Sequence, residues 1–138
     1  VSPDQPLLEY VREKGFKSVK RGCETSNCGL CTVLMDGKPV LSCTMLAVRA
    51  DGHNIITLEG KQQEAEEIGS YLAKEGAEQC GFCSPGLIMN IIAMKDELTN
   101  PSEDEIREYL SGNLCRCTGY VSQLRAIKAY LASKEDCQ

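Results

Sequence analysis

Four cysteines in the second half of the chain constrain its fold more than any other feature. They form two close pairs, each followed directly by a segment with the pattern of a helix, and they are Cys80, Cys83, Cys115 and Cys117. Ser84 is expected to cap the first helix, with Pro85 at its first position, and the second helix begins near Val121. Because helix N-termini carry partial positive charge, both helices would favour thiolates at this point. The pattern favours a negatively charged metal cluster over disulfides.

The total cysteine count points the same way. The chain has nine cysteines, and an odd number leaves one thiol over if all the others form disulfides. Eight of them fall into two groups of four, whereas Cys137 lies apart, one residue from the C-terminus. We interpret Cys137 as taking no part in either group. In a reducing compartment, grouped cysteines are more often metal ligands or catalytic thiols than disulfides.

Charge and hydropathy exclude several classes of function. The formal net charge is −5 and no cluster of Lys or Arg is present, so we expect no binding to nucleic acid. No apolar run approaches the ~18 residues that span a bilayer, and the first residues lack a signal pattern, so we expect a cytoplasmic protein without membrane insertion. The only histidine, His53, lies in a polar stretch and is expected to be a solvated turn residue, which leaves no Ser/His/Asp set for hydrolysis.

The first half of the chain predicts a small α+β unit. Residues 6–15 have the apolar spacing of a short helix. Strands are expected at 32–35 and 39–43, because they flank Asp36-Gly37, a dipeptide typical of a type I′ hairpin turn. A further strand is expected at 54–58. We place the first domain at residues 1–60.

From Lys61 onward the pattern changes from mixed to helical. A polar bridge is followed by four predicted helices, at 64–74, 85–98, 103–110 and 121–133. The third helix opens with Ser102 and Glu105 at the spacing of a capping box. We therefore predict an all-α four-helix domain over residues 61–138, so that the whole chain belongs to the α+β class.

The cysteines of the first half have the spacing of an iron–sulfur site. They follow the pattern Cys-x4-Cys-x2-Cys with a fourth after the hairpin, and they are Cys23, Cys28, Cys31 and Cys43. This is the plant-type ferredoxin arrangement for a [2Fe–2S] cluster. Gly22 and Gly29 fit it, because the backbone must approach the inorganic sulfides closely. Structural zinc is the alternative, but it usually takes cysteines in close pairs.

The cysteines of the second half are more ambiguous by spacing alone. A Cys-x2-Cys pair could be thioredoxin-like, but the expected βαβ context is missing. A four-cysteine zinc site is nearly as consistent with the spacing as a second iron–sulfur cluster. One redox cluster in a chain makes a second one more plausible, and we favour iron–sulfur on that ground.

Four longer motifs carry a resemblance to a known family. They are Cys23-Glu24-x3-Cys28-Gly29-x-Cys31-Thr32-Val33, Thr57-Leu58-Glu59-Gly60, Gln79-Cys80-Gly81-Phe82-Cys83-Ser84-Pro85-Gly86 and Gly112-Asn113-Leu114-Cys115-Arg116-Cys117-Thr118-Gly119-Tyr120. From about Leu7 to about Leu131 the chain resembles the iron–sulfur subunit of the molybdenum hydroxylases, the family of xanthine dehydrogenase, aldehyde oxidoreductase and carbon monoxide dehydrogenase.

The resemblance implies a ferredoxin-like (β-grasp) domain, a helical domain and two [2Fe–2S] clusters. It implies an electron-transfer subunit that relays electrons from molybdopterin, in a large partner subunit, through both clusters to FAD in another subunit or to a different acceptor. Cys117 and Gln79 would contact the pterin, although the Gln79 amide could instead brace its own loop. The family begins with a β-hairpin before the first helix, and in this chain the first hairpin is expected to be missing.

Two other functions remain open at this point. A free-standing two-cluster electron carrier would be a stable monomer. A zinc-stabilised interaction module would be colourless. Against the free carrier, the apolar stripes of the predicted helices exceed what four short helices need for their own core.

Overall fold

The computed structural model describes residues 1–135, so Cys137 lies outside the described residues. The helices and strands, in chain order, are α1 (Leu7–Glu13), β1 (Thr32–Met35), β2 (Lys38–Leu41), β3 (Ile55–Ile56), α2 (Gln62–Lys74), α3 (Ser84–Glu97), α4 (Glu103–Tyr109) and α5 (Val121–Glu135). Short 3-10 helices lie at Ala47–Ala50 and Leu58–Lys61. None of the helices in this part of the chain is both long and apolar enough to cross a bilayer.

The three strands form one antiparallel sheet in the order β2-β1-β3. Asp36 and Gly37 both have positive φ, at 50° and 83°, which confirms the predicted turn between β1 and β2. The third strand is shorter than predicted, because only Ile55 and Ile56 pair with β1. Helix α1 precedes all three strands in the chain.

Strand β1 contributes side chains to the hydrophobic cores of both halves of the chain. Neighbouring side chains of a strand point to opposite faces, so Val33 and Leu34 face opposite ways. Val33 packs with α1 residues Leu7, Leu8 and Val11 in one core. Leu34 packs in the other core, which α2, α3, α4 and α5 supply. The two hydrophobic cores of the chain therefore meet at this strand.

Helix α3 is the centre of the helical half. It packs against β1 and β2 on one side and against α2 on the other, which explains why its apolar residues extend around most of its surface. Helix α2 packs against α5, where the rings of Tyr71 and Tyr130 meet edge to face with centroids 5.8 Å apart. Four helices follow the sheet, as the sequence predicts.

Of the two predicted helix caps, one is confirmed and one is wrong. The capping box at α4 is confirmed: the Ser102 hydroxyl accepts from the Glu105 N–H, and the Glu105 carboxylate accepts from the Ser102 N–H. The predicted cap of α3 is wrong by one position. Cys83 is its N-cap, and Ser84 and Pro85 are already helical. A cysteine therefore lies directly at the helix start.

Candidate metal centres

The first cysteine loop is shaped by an unusual run of backbone angles. Glu24, Ser26 and Gly29 all have positive φ, at 60°, 60° and 74°. Residues other than glycine adopt such angles at a cost, so the loop stores conformational strain that the surrounding structure must hold. The curled backbone directs the N–H groups of Thr25 and Asn27 at Cys23 Sγ, each at 3.4 Å.

The four thiols of this loop group as two pairs. Cys23 and Cys28 affect each other's pKa, and so do Cys31 and Cys43, which makes each pair electrostatic neighbours. The N–H of Thr25 lowers the pKa of Cys23 to about 6. Burial raises the pKa of Cys31 to about 11, because the thiolate loses its hydration. Cys23 is thus largely ionised at neutral pH, whereas Cys31 needs a nearby cation to ionise.

The second group repeats the pairing with other elements. Cys80 Sγ and Cys117 Sγ lie 3.6 Å apart, and the Cys115 thiol contributes to the raised pKa of Cys83. Each pair joins one cysteine near the start of α3 with one from the segment before α5. This fits the prediction that the thiols near these two helix starts come together.

The hydrogen bonds around Cys115 give its thiol a lower pKa than that of Cys83. Burial alone would raise the pKa of Cys115, but the Thr118 hydroxyl, 3.2 Å from its Sγ, and nearby N–H groups lower it to about 7. Burial raises the pKa of Cys83 to about 12. The Cys115 N–H donates to the Tyr120 hydroxyl at 3.1 Å. Tyr120 has a φ of 72°, so this turn is strained as well.

The paired thiols fit a binuclear cluster. In a [2Fe–2S] cluster with four cysteines, each iron takes two thiolates, so the ligands come in two pairs. A structural zinc ion instead needs four donors around one point. Within residues 1–135, no three His, Cys, Asp or Glu side chains are arranged to hold a single metal ion. Both donor sets supply the four thiols that a [2Fe–2S] cluster needs.

The second group lines a cavity that also touches one cysteine of the first group. It has a volume of about 530 Å³ and is lined by Cys28 from the first group and by all four cysteines of the second. A backbone hydrogen bond closes one side of it, from the Leu114 N–H to the Cys28 carbonyl at 2.9 Å. Leu114 directly precedes Cys115, so the two groups are joined by a very short path.

The second group lies nearer the surface. Cys80 and Cys117 are exposed, whereas Cys28 and Cys31 are buried. The Gln79 amide donates to the Cys117 carbonyl oxygen at 3.3 Å, in the other cysteine segment of the second group. Both predicted pterin-contacting residues therefore lie side by side on an exposed surface.

Sequence reasoning missed several polar residues near the thiols. Asn90, on the mostly apolar α3, donates through Nδ2 to Thr32 Oγ1 at 3.0 Å. The Thr118 and Tyr120 hydroxyls were present in a recognised motif, but nothing in the spacing indicated their partners. His53 is exposed as expected, and its Nδ1 lies 2.5 Å from Asp36 Oδ2.

One of the four motifs forms hydrogen bonds with the segment that precedes the first cysteine loop. Glu59, in the Thr-Leu-Glu-Gly motif, accepts from both the N–H and the hydroxyl of Ser18, at 2.9 and 2.5 Å. Ser18 lies just before the first cysteine loop. The carboxylate thus ties the entry to this loop to the segment that leads into α2.

Family models match both halves of the chain. The model described as a 2Fe-2S iron-sulfur cluster binding domain matches residues 1–54, and the model of a [2Fe-2S] binding domain matches residues 57–128. The iron–sulfur-binding subunit of xanthine dehydrogenase from Escherichia coli is 50% identical over 125 residues, which are 86% of this chain and 77% of that protein. The nicotinate dehydrogenase small FeS subunit of Eubacterium barkeri is 43% identical over 129 residues, covering 91% and 82%.

Solved structures agree with these matches. Quinoline 2-oxidoreductase from Pseudomonas putida has a chain that superposes with a TM-score of 0.89 at 40% identity, covering 99% of this chain and 87% of that one. Aldehyde oxidoreductase from Desulfovibrio gigas gives a TM-score of 0.90 at 34% identity, covering all of this chain but 16% of that longer one. The predicted order, a ferredoxin-like domain and then a helical one, is confirmed. The chain belongs to the family of [2Fe–2S] iron–sulfur subunits of the molybdenum hydroxylases.

Proposed function

We propose that this electron-transfer subunit carries its two [2Fe–2S] clusters on the two groups of paired thiols. The first cluster takes Cys23, Cys28, Cys31 and Cys43, and the second takes Cys80, Cys83, Cys115 and Cys117. The observation that carries the proposal is the 3.6 Å approach of Cys80 Sγ to Cys117 Sγ, within a second group whose four cysteines line one cavity. Bound clusters would each accept and release one electron at a time.

The protein's own contribution is to hold and tune these ligands. The N–H groups of Thr25 and Asn27, and the Thr118 hydroxyl, donate to sulfur and so stabilise added negative charge. Burial of Cys28 and Cys31 keeps water away from the first group. The hydrogen bond between Leu114 and Cys28 connects the groups without any side chain between them.

The exposed second group is the side that we assign to the large molybdopterin-binding subunit. Gln79 and Cys117 lie on this surface and would contact the pterin. Large apolar side chains from the same two segments of the chain are exposed by roughly half: Phe82, Leu114, Tyr120 and Val121. Such a patch is costly in water, which favours a permanent partner over a free-standing carrier.

The remaining parts of the proposal follow from family membership and composition. An FAD-binding subunit would take electrons from the first cluster, and the complex would work in the cytoplasm, where thiols stay reduced. We assign residues 1–60 to the ferredoxin-like domain and 61–138 to the helical domain. The net charge of −5 gives no reason to expect nucleic acid as a partner.

Metal analysis of the purified complex tests this proposal. The wild-type chain should carry about four irons and four labile sulfides, with two distinct signals in electron paramagnetic resonance (EPR) after reduction. Cys80→Ser should remove the second signal and about two irons, and Cys23→Ser should do the same to the first. Cys137→Ser is the matched control and should keep both. About two irons and one zinc in the wild type would contradict the assignment of the second group.

A further inference from the structure

A chain of side-chain hydrogen bonds links the two halves beside β1. Asn90 Nδ2 on α3 donates to Thr32 Oγ1 at 3.0 Å, and this hydroxyl donates to the carbonyl oxygen of Gly29 at 2.7 Å. Asn90 Nδ2 also donates to the carbonyl oxygen of Gly86, one turn earlier in α3, at 3.1 Å. The Asn90 amide nitrogen and the Thr32 hydroxyl are thus both paired, and Thr32 is almost fully buried.

The backbones that this chain connects are in direct contact. A Cβ atom at Gly86 would lie 2.4 Å from the Gly29 oxygen and 2.8 Å from Leu30 Cα. No side chain fits at that distance, so α3 and the first cysteine loop touch through their main chains. The hydrogen bonds of Asn90 and Thr32 fix how the two surfaces lie on each other.

The contact lies close to a cysteine on either side. Gly29 is between Cys28 and Cys31, and Thr32 directly follows Cys31. Gly86 is in the first turn of α3, where the Leu87 N–H donates to the carbonyl of Cys83 at 3.1 Å. Any slip between α3 and the loop would therefore move one cysteine group relative to the other.

Asn90 is an unexpected choice if packing were its only role. It is half-buried on a helix whose neighbouring residues Met89, Ile91 and Ile92 are fully buried and apolar. A buried polar group gains little net stability over an apolar one of similar shape, but it specifies one arrangement of its partners. We propose that Asn90 and Thr32 are positioning residues that set the separation of the two clusters.

This inference rests on the proposed function, since it requires both clusters to be bound. The magnetic coupling between two reduced clusters falls steeply as their separation grows, so EPR splitting in the complex reports that separation. Asn90→Leu and Thr32→Val remove the hydrogen bonds at nearly constant volume. We expect a smaller splitting and slower electron transfer between the clusters in both, at full iron content. Thr32→Ser keeps the hydroxyl and should restore wild-type values.

A glycine pair gives an independent test. Gly86→Ala would push the Gly29 carbonyl away from α3 and should also reduce the splitting. Gly69→Ala, in α2, is the matched control, because a Cβ there meets nothing within 4 Å. Full iron content with wild-type splitting in Asn90→Leu and Thr32→Val would overturn the inference. Loss of iron in Asn90→Leu, Thr32→Val and Gly86→Ala, with full iron content in Gly69→Ala, would also overturn the inference. These residues would then have a purely structural role. A wild-type protein with only one cluster would instead contradict the proposed function.

Discussion

The backbone N–H of Leu114 donates to the carbonyl oxygen of Cys28 across 2.9 Å, and this bond joins the two cysteine groups. Leu114 is bonded to Cys115 of the second group, and Cys28 belongs to the first. The link uses main-chain atoms alone, so no residue type in the sequence could have indicated it. It makes the segment before Cys115 a part of both sites.

Removing this N–H should slow electron transfer between the clusters. Leu114→Pro deletes the donor and should lower the free energy of unfolding by about 1–3 kcal/mol, because the Cys28 carbonyl loses its partner. The inter-cluster rate, measured by pulse radiolysis of the complex, should fall several-fold. Leu114→Ala keeps the N–H and should transfer electrons at the wild-type rate. Equal rates in both variants would show that the bond carries no coupling.

The Thr118 hydroxyl should raise the reduction potential of the second cluster. It donates to Cys115 Sγ, and a hydrogen bond to sulfur favours the more negative, reduced state. A net hydrogen bond of about 0.5–1.5 kcal/mol corresponds to about 20–60 mV for one electron. Thr118→Val should lower the potential by this amount in an EPR-monitored redox titration. Thr118→Ser should not, and the first cluster should be unchanged in both.

Gly29 should not tolerate a side chain. Its φ is 74°, and a Cβ would lie 2.5 Å from the Gly112 oxygen. Positive φ and overpacking together predict a loss of about 2–5 kcal/mol in the free energy of unfolding for Gly29→Ala. Gly112→Ala, where a Cβ meets nothing within 4 Å, should change it by less than about 1 kcal/mol. Urea unfolding followed at the cluster absorbance compares the two, and similar midpoints would refute the steric argument.

Local sequence signals predicted the elements well. The turn at Asp36 and Gly37 and the capping box at Ser102 depend on residues that are neighbours in the chain, and both are confirmed. The helices start and end within two residues of prediction. The strand expected at 54–58 shrinks to Ile55–Ile56, because its length depends on the pairing partner, which is tertiary information.

The site was only partly accessible to sequence reasoning. Spacing predicts which cysteines form each group, and that assignment stays a prediction. It does not predict that Cys80 pairs with Cys117, since this depends on how two distant segments meet. Asn90 was missed because apolar spacing treats α3 as a uniform core helix, and its partner Thr32 lies 58 residues away in the chain.

The unequal thiol pKa values predict an order of alkylation in cluster-free protein. Lowering a thiol pKa makes the reactive thiolate abundant at lower pH, so Cys23, with a pKa of about 6, should reach half-maximal reactivity near pH 6. Cys115 should follow near pH 7, and Cys31 and Cys83, at about 11 and 12, should stay protonated through neutral pH. Iodoacetamide labelling after iron chelation, read by peptide mass spectrometry across a pH series, gives each midpoint.

Thr118→Val should raise the midpoint of Cys115 alone, whereas Thr118→Ser should leave it in place. One common midpoint near the free-cysteine value of about 8.5 would mean that the loops take this shape only when metal is bound.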